Sequence, residues 1–366
     1  METAKLKNLL GLLSINGLGS RRILQLIAKY PDLDEIWNVP LPELCEIPSI
    51  DLITARKIRE GYDETFVNKQ LKYLETKPYR IISYLDEEYP TRLKTIYDPP
   101  VLLFSYGSFC KQDVDAIAIV GTRSPSNYGR EVTEILVRQL VEKNLTIVSG
   151  FARGIDTEAH RAAIKYGGRT IAVLGNGVDW IYPPENRRLR DQIVEHGVYC
   201  SEFPFEAKPE AVNFPRRNRL ISGLSLGVVV IEAGEKSGAL LTAYYALDQN
   251  RDVFALPGRI TDDKSLGTNR LIQKGAKLVR NVEDIIEEIE PNRTFPTEPR
   301  QMEITFSLED PEEKRVYDAL SSEPIHIDEL ASRIGKSTYE ILATLLGLEL
   351  KGAVRQLAGK MFVKVG

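Results

Sequence analysis

Between residues 116 and 256 the chain repeats one pattern: a short, nearly unbroken aliphatic run, then a longer amphipathic run. The aliphatic runs are Ala116–Val120, Thr146–Ser149, Thr170–Leu174, Val198–Ser201, Gly227–Ile231 and Val253–Leu256. Alternating polarity would mark a strand buried on one face. A continuous run marks burial on both faces, as in a parallel sheet covered by helices. The amphipathic runs Arg130–Lys143, Thr157–Tyr166, Asn186–Glu195 and Ala239–Gln249 supply those covers. This order predicts an α/β domain with a doubly wound parallel sheet, where ligands bind beyond the carboxyl ends of the strands.

The pattern changes on both sides of this region. Residues 1–75 read as short helices with Pro and Gly breaks, and the sheet domain spans 78–290. Residues 291–310 carry Pro291, Pro296 and Pro299 with few large aliphatics and read as a linker; 311–366 form a separate small unit. Three units suit a chain of 366 residues.

Lys and Arg number 48 and Asp and Glu 52, a net charge of −4. That excludes a uniformly polybasic protein but not a local basic site. Cys45, Cys110 and Cys200 form no C-x-x-C pair, and His160, His196 and His326 are scattered, so neither a disulfide framework nor a metal site is expected. The N-terminal apolar run is too interrupted for a membrane span and lacks a cleavage pattern, so a cytoplasmic protein is expected.

The strand ends carry the chemistry. They read Gly121-Thr122-Arg123-Ser124, then Gly150-Phe151-Ala152-Arg153-Gly154-Ile155-Asp156, then Gly175-Asn176-Gly177, then Glu232-Ala233-Gly234-Glu235-Lys236-Ser237-Gly238, then Pro257-Gly258-Arg259. Glycine lets the backbone approach a ligand, and the following helices offer free N–H groups. Arg123, Arg153, Lys236 and Arg259 add cations at the same edge. Together these predict a crevice for phosphate. Two nucleotide motifs fail: Trp180 stands where a dinucleotide loop needs its third glycine, and Glu235 precedes Lys236-Ser237 where a P-loop needs glycine. Neither NAD nor ATP, nor any other cofactor, is expected.

Asn213-Phe214-Pro215-Arg216-Arg217-Asn218-Arg219 gathers three arginines and an aromatic near a helix start, where cations are unfavourable. Arginine can fork onto phosphate oxygens and Phe214 can stack on a base. The competing reading is a solvated basic turn paired with Glu202, Glu206 or Glu210. Arg187, Arg188 and Arg190 read as a salt-bridged helix face beside Glu185 and Asp191. Glu232 and Asp156 lie at the binding edge, but no catalytic order accompanies them. His160 reads as packed or capping, and Ser149, Ser237 and Thr242 as hydroxyl donors.

Ile15-Asn16-Gly17-Leu18-Gly19 fits the hairpin of a helix-hairpin-helix element, which presents backbone N–H groups to phosphate. Ile47-Pro48-Ser49-Ile50-Asp51 reads as a degenerate copy. The last unit reads as helices Glu312–Leu320, Ile327–Ile334 and Thr338–Leu350 and a strand pair near Val354 and Met361–Val365, the order of a winged helix. Its third helix lacks the Arg, Lys or Asn that would read bases, which favours a protein contact.

The ordered set resembles the DNA-processing protein A (DprA, or Smf) family. The matching residues are Val120 to Arg123, Ser149 to Asp156, Glu202-Phe203-Pro204, Asn213 to Gly223, Glu232-Ala233, Ser237 to Ala243 and Pro257-Gly258. The resemblance implies an extended Rossmann-like domain with helical and winged-helix flanks. It implies a homodimer without catalytic activity that binds single-stranded DNA. Such a protein helps load RecA recombinase onto incoming strands, or onto strands coated by single-strand-binding protein, in natural transformation and recombination. Carried over by position, Gly121, Thr122 and Arg123, then Arg216, Arg217, Asn218 and Arg219, then Ser237, Gly238 and Thr242 would meet DNA; Gly150, Arg153, Phe214 and Lys236 join them as neighbouring donors and stacking groups. The segment Leu271–Ile286 is a candidate part of the dimer contact. Two other readings stand beside this one: a nucleotide phosphoribohydrolase, whose P-G-G-x-G-T loop is not reproduced at Glu232-Ala233-Gly234, and a regulatory adaptor without DNA binding.

Overall fold

The computed structural model describes residues 3–293, 310–321, 325–350, 353–357 and 361–364. The chain divides into two units, 1–296 and 297–366.

The first unit is built on nine strands: β1 (Tyr79–Ser83), β2 (Leu102–Gly107), β3 (Ala116–Val120), β4 (Thr146–Ser149), β5 (Thr170–Leu174), β6 (Gly197–Ser201), β7 (Gly227–Val230), β8 (Asp252–Ala255) and β9 (Lys277–Leu278). Their order is β1-β2-β6-β5-β4-β3-β7-β8-β9. Neighbours from β6 to β9 pair in parallel, while β1 and β2 add an antiparallel edge. The expected strands thus sit in one sheet, three with the boundaries read from the sequence and three shifted by about one residue.

Helices α7 (Asn127–Glu142), α8 (Ile155–Lys165), α9 (Arg187–His196), α10 (Asn213–Gly223), α11 (Gly238–Asp248), α12 (Leu266–Gln273) and α13 (Glu283–Ile289) connect or follow the parallel strands. Side chains of a strand alternate between faces. In β3, Ile117 and Ile119 join Leu136 and Leu140 of α7 and Ile285 of α13 on one face. Ala118 and Val120 join Leu220 of α10 and Ala243 of α11 on the other. Every residue of β3 is buried, which explains its unbroken aliphatic run.

The N-terminal helices α1 (Thr3–Ser14), α2 (Ser20–Lys29), α3 (Leu41–Cys45), α4 (Leu52–Glu60) and α5 (Glu64–Thr76) belong to this same unit. Leu9, Ile23 and Leu26 share a core with Phe104, Tyr199 and Phe205 of the sheet domain. The degenerate second hairpin has its own local reason: Asp51 accepts the Thr54 N–H at 2.8 Å and caps α4. A short helix, α6 (Thr91–Lys94), sits between β1 and β2. Of the expected linker, residues 294–309 lie outside the described residues, and Glu290–Asn292 forms a single 3-10 turn.

The second unit is a winged helix. It contains α14 (Pro311–Asp318), β10 (Ile325–His326), α15 (Ile327–Ile334), α16 (Thr338–Leu350), β11 (Val354–Leu357) and β12 (Met361–Lys364). Strand β12 pairs antiparallel with both β10 and β11, and Phe362 joins Val316, Leu330, Ile341 and Leu345 in the core.

Candidate nucleic-acid interface

The sheet order turns at β3. Strands β4, β5 and β6 run outward on one side, and the chain then returns to lay β7 on the other. Loops after neighbouring strands diverge at such a point. A cleft of about 860 Å³ opens there. Gly121, Thr122 and Arg123 line it from the β3 loop, and Lys236, Ser237 and Gly238 from the β7 loop. Helix α10 contributes Phe214, Arg217 and Asn218, and α11 contributes Thr242. Gly150 and Arg153 line an adjoining recess with Arg123, Tyr182 and Phe214. Arg216 and Arg219 are not brought in; they line a different groove, on the other side of α10.

The β3 loop is held from below. The Thr122 N–H donates to the Glu232 carbonyl at 2.8 Å. The Ser126 N–H donates to Glu232 Oε2 at 2.9 Å, and the Ser126 hydroxyl donates to Oε1. That same hydroxyl accepts the Gly129 N–H at 2.9 Å and caps α7. Both carboxylate oxygens of Glu232 are thereby engaged, so its place in the site is that of a brace.

The cleft floor carries a buried charge pair. Arg217 donates through Nη1 to the carbonyls of Gly150 and Val173. Asp156 accepts the Ala152 N–H at 3.3 Å. Burial pushes the Asp156 carboxyl up to about 6, with the Arg217 charge pulling the other way. Burial likewise brings Arg217 down to about 10, against the support of Asp156. A Cβ on Gly150 would lie 2.6 Å from Asp156 Oδ2 and 2.7 Å from Arg217 Nη1, so glycine lets this floor close.

A pH dependence follows from that pair. The ordinary Asp156 value is 3.8 and the folded value lies above it, so the folded chain holds an extra proton in between. This group's contribution to stability is full at low pH and is lost as pH rises through about 6. Above that value a carboxylate sits beside Arg217 beneath the cleft; below it the buried Arg217 charge is no longer offset. Strand affinity is expected to rise as pH falls from about 7.5 to about 5.5, and Asp156→Asn is expected to remove the rise. Anisotropy titrations at both pH values check this. His160 does not confuse the result: burial and then the Arg217 charge hold it down at about 3. Its ring packs 6.2 Å from Phe151, with Nδ1 2.7 Å from Thr170 Oγ1, as a packed histidine would.

The aromatic centre of the site is Phe214. Its ring lies 5.7 Å from Tyr182, with the guanidinium carbons of Arg123 and Arg217 at 5.9 and 6.0 Å. Tyr182 is 39% exposed and offers a stacking face to a base. Sequence reading did not single it out; its only signal was an aromatic just after Gly175-Asn176-Gly177. Tyr182→Ala is expected to weaken single-strand binding by about 5- to 100-fold with little dependence on base identity, as measured by titration against homopolymers.

The cations differ in what they have left to give. Arg123 and Lys236 are exposed, and neither has an acidic partner within 4.0 Å among the described residues. Arg153 is exposed and pairs with Glu185. Arg219 forks onto Glu202, with Nη1 to Oε1 at 3.1 Å and Nη2 to Oε2 at 2.7 Å, and reaches Asp98 at 3.5 Å. The Arg219 and Glu202 side chains are 10% and 5% exposed. The competing reading of the basic run thus holds for Arg219, except that the pair is buried. Arg190 pairs with Asp191 at 2.6 Å, as expected of that helix face. Ser149 donates to the Ile119 carbonyl at 2.6 Å, and Ser237 accepts the Ala239 N–H at 3.3 Å to cap α11.

Fold and site together define a class: a Rossmann-like protein with a cleft lined by glycines and cations at the switch point of its sheet, joined to a winged helix. Residues 80–290 match the family model of DNA recombination-mediator protein A, and residues 297–360 match the DprA winged helix domain. The chain belongs to the DNA recombination-mediator protein A family, in which DprA and Smf proteins fall. It is 48% identical over 277 residues to DNA processing protein DprA of Bacillus subtilis, covering 75% of this chain and 93% of that one. It is 36% identical over 361 residues to protein Smf of Escherichia coli, covering 96% and 93%. The solved DprA of Streptococcus pneumoniae superposes with a TM-score of 0.68 at 36% identity, over 79% of this chain and 98% of that one. DprA of Helicobacter pylori, solved for its single-stranded DNA binding mode, gives 0.53 at 31% identity, over 60% and 99%.

Proposed function

We propose that this chain binds single-stranded DNA in the strand-end cleft, without marked sequence preference. The observation that carries the reading is the pair Arg123 and Lys236, two unpartnered cations on loops facing each other across the switch point, with Phe214 and Tyr182 beside them. Fixed cations grip successive phosphates and aromatic faces take bases of any identity. Glu232 braces the β3 loop, Asp156 lies buried in the floor and His160 is packed away from the cleft, which supports a binding role without catalysis. Family membership and the Helicobacter pylori relative support the choice of ligand.

On this reading the chain works in the cytoplasm, where it helps load a RecA-type recombinase onto incoming strands or onto strands coated by single-strand-binding protein, in transformation and recombination. It acts as a homodimer. The short, exposed edge strand β9 falls inside Leu271–Ile286, the candidate part of the dimer contact. Among the described residues no helix is long and apolar enough to cross a membrane. The winged helix serves a protein contact: α16 exposes Tyr339, Leu342 and Leu346 and carries no Arg, Lys or Asn. A gel shift with poly-dT, with and without duplex competitor, tests the reading. A shift that resists duplex is expected; no shift, or one that duplex removes, overturns it.

A further inference from the structure

Helix α10 has two working sides. Phe214, Arg217, Asn218 and Ile221 stand at helical spacing on the cleft side. Arg216 and Arg219 stand on the other, where they line a second groove of about 820 Å³. The opposite wall of that groove is the N-terminal hairpin, through Gly17, Gly19, Ser20, Arg21 and Arg22.

The hairpin has the geometry its sequence predicts. Gly17 takes φ of +89°, a conformation that favours glycine, and turns the chain. Leu18 is buried beneath, its N–H on the Ile15 carbonyl at 3.0 Å. Helix α2 then starts after Gly19 with no side-chain cap, so its first N–H groups stay available at the groove.

The charge at this groove is not that of an ordinary surface. Arg219 is already committed to Glu202 and Asp98. That leaves Arg21, Arg22 and Arg216 against Asp248, with Asp51, the cap of α4, close enough to Arg22 for the two charges to interact. The Arg21 guanidinium lies over the Tyr97 ring at 4.4 Å, and Tyr97 is 76% exposed. Arg22 donates to the Gly17 carbonyl at 2.8 Å. Arg216 lies over the Phe203 ring at 5.5 Å. None of these three arginines is spent on a carboxylate within 4.0 Å among the described residues. Cations stacked on aromatics beside open backbone N–H groups suit a phosphate backbone with partly stacked bases.

The two grooves meet at the start of α10, where Pro215 lines the first and Arg216 the second. We propose that a single strand held in the cleft continues across this point, and that its next phosphates are bound in the second groove by Arg216 and by Arg21, Arg22 and the hairpin amides. The N-terminal module is then part of the strand-binding track. This rests on the single-strand reading of the cleft.

The test uses the full chain and fluorescently labelled oligo-dT of two lengths, about six and about thirty nucleotides, short enough for one groove and long enough for both. The triple variant Arg21→Ala/Arg22→Ala/Arg216→Ala is compared with wild type and with Arg123→Ala, each confirmed folded by its melting curve. The triple variant is expected to bind the long strand at least about tenfold more weakly, with a salt slope smaller by about 2, and to bind the short strand as wild type does. Arg216→Ala alone should move the same way by a smaller amount. Wild-type affinity and slope for the long strand in the triple variant overturn the proposal, as does a loss confined to duplex DNA. The cleft reading fails separately, if Arg123→Ala binds both lengths as wild type does.

Discussion

Replacing Arg123 and Lys236 together by alanine lowers single-strand affinity on the order of a hundredfold at low salt and leaves the fold intact. Both side chains are exposed and neither closes an ion pair among the described residues, so their removal leaves no buried charge behind. What is lost is two cation–phosphate contacts. Each such contact on a single strand contributes roughly 0.7 to the slope of log affinity against log salt, so the double variant flattens that slope by about 1.4. Titrations at two salt concentrations measure it. An unchanged slope would show that these cations do not meet phosphate, whatever happened to the affinity at one salt.

The second large effect falls on stability. Arg219→Ala leaves the Glu202 carboxylate, 5% exposed, without the fork that compensates it. Breaking a buried pair by removing one partner costs about 3–5 kcal/mol. The melting temperature should fall by several degrees or more, while strand affinity measured well below the transition stays within about threefold of wild type. Chemical denaturation of Arg219→Ala beside Glu202→Gln checks it, since both break the same pair. Arg219 had been expected from family position to meet DNA. A variant of unchanged stability and lost affinity would return it to that role.

The sequence made some of this plain and hid the rest for physical reasons. Strands β3, β4 and β5 were legible to the residue because every position is buried, which makes each a short aliphatic block closed off by glycine or by a polar turn. Strands β1 and β2 were not read. They lie at the antiparallel edge, and β1 is only partly buried, so its residues make no aliphatic block. The loops after β3 and β7 were legible because glycine and cations directly follow recognisable strands. The asparagine–arginine run was legible as unusual but not in its partition. Successive residues on a helix are about 100° apart, so Arg216, Arg217 and Arg219 cannot all face one cleft. Only the packing of α10 against the sheet decides that Arg217 turns to the floor and Arg219 to Glu202. Tyr182 sits in an irregular loop, where no periodicity announces it.

The net charge of −4 also takes on a different meaning. Much of the positive charge that sequence reading pooled at one edge is tied up: Arg153 with Glu185, Arg219 with Glu202, and Arg217 beneath the floor beside Asp156. Arg123 and Lys236 remain for the ligand in the cleft. A small number of available cations in a confined space favours a flexible single strand over a rigid duplex.

The most direct test of where the strand lies is amide hydrogen exchange of the full chain with and without oligo-dT. Protection is expected at residues 121–126 and 234–238, the two loops across the switch point, and at 213–218 at the start of α10. Binding of oligo-dT with no change of exchange in those three segments would contradict it.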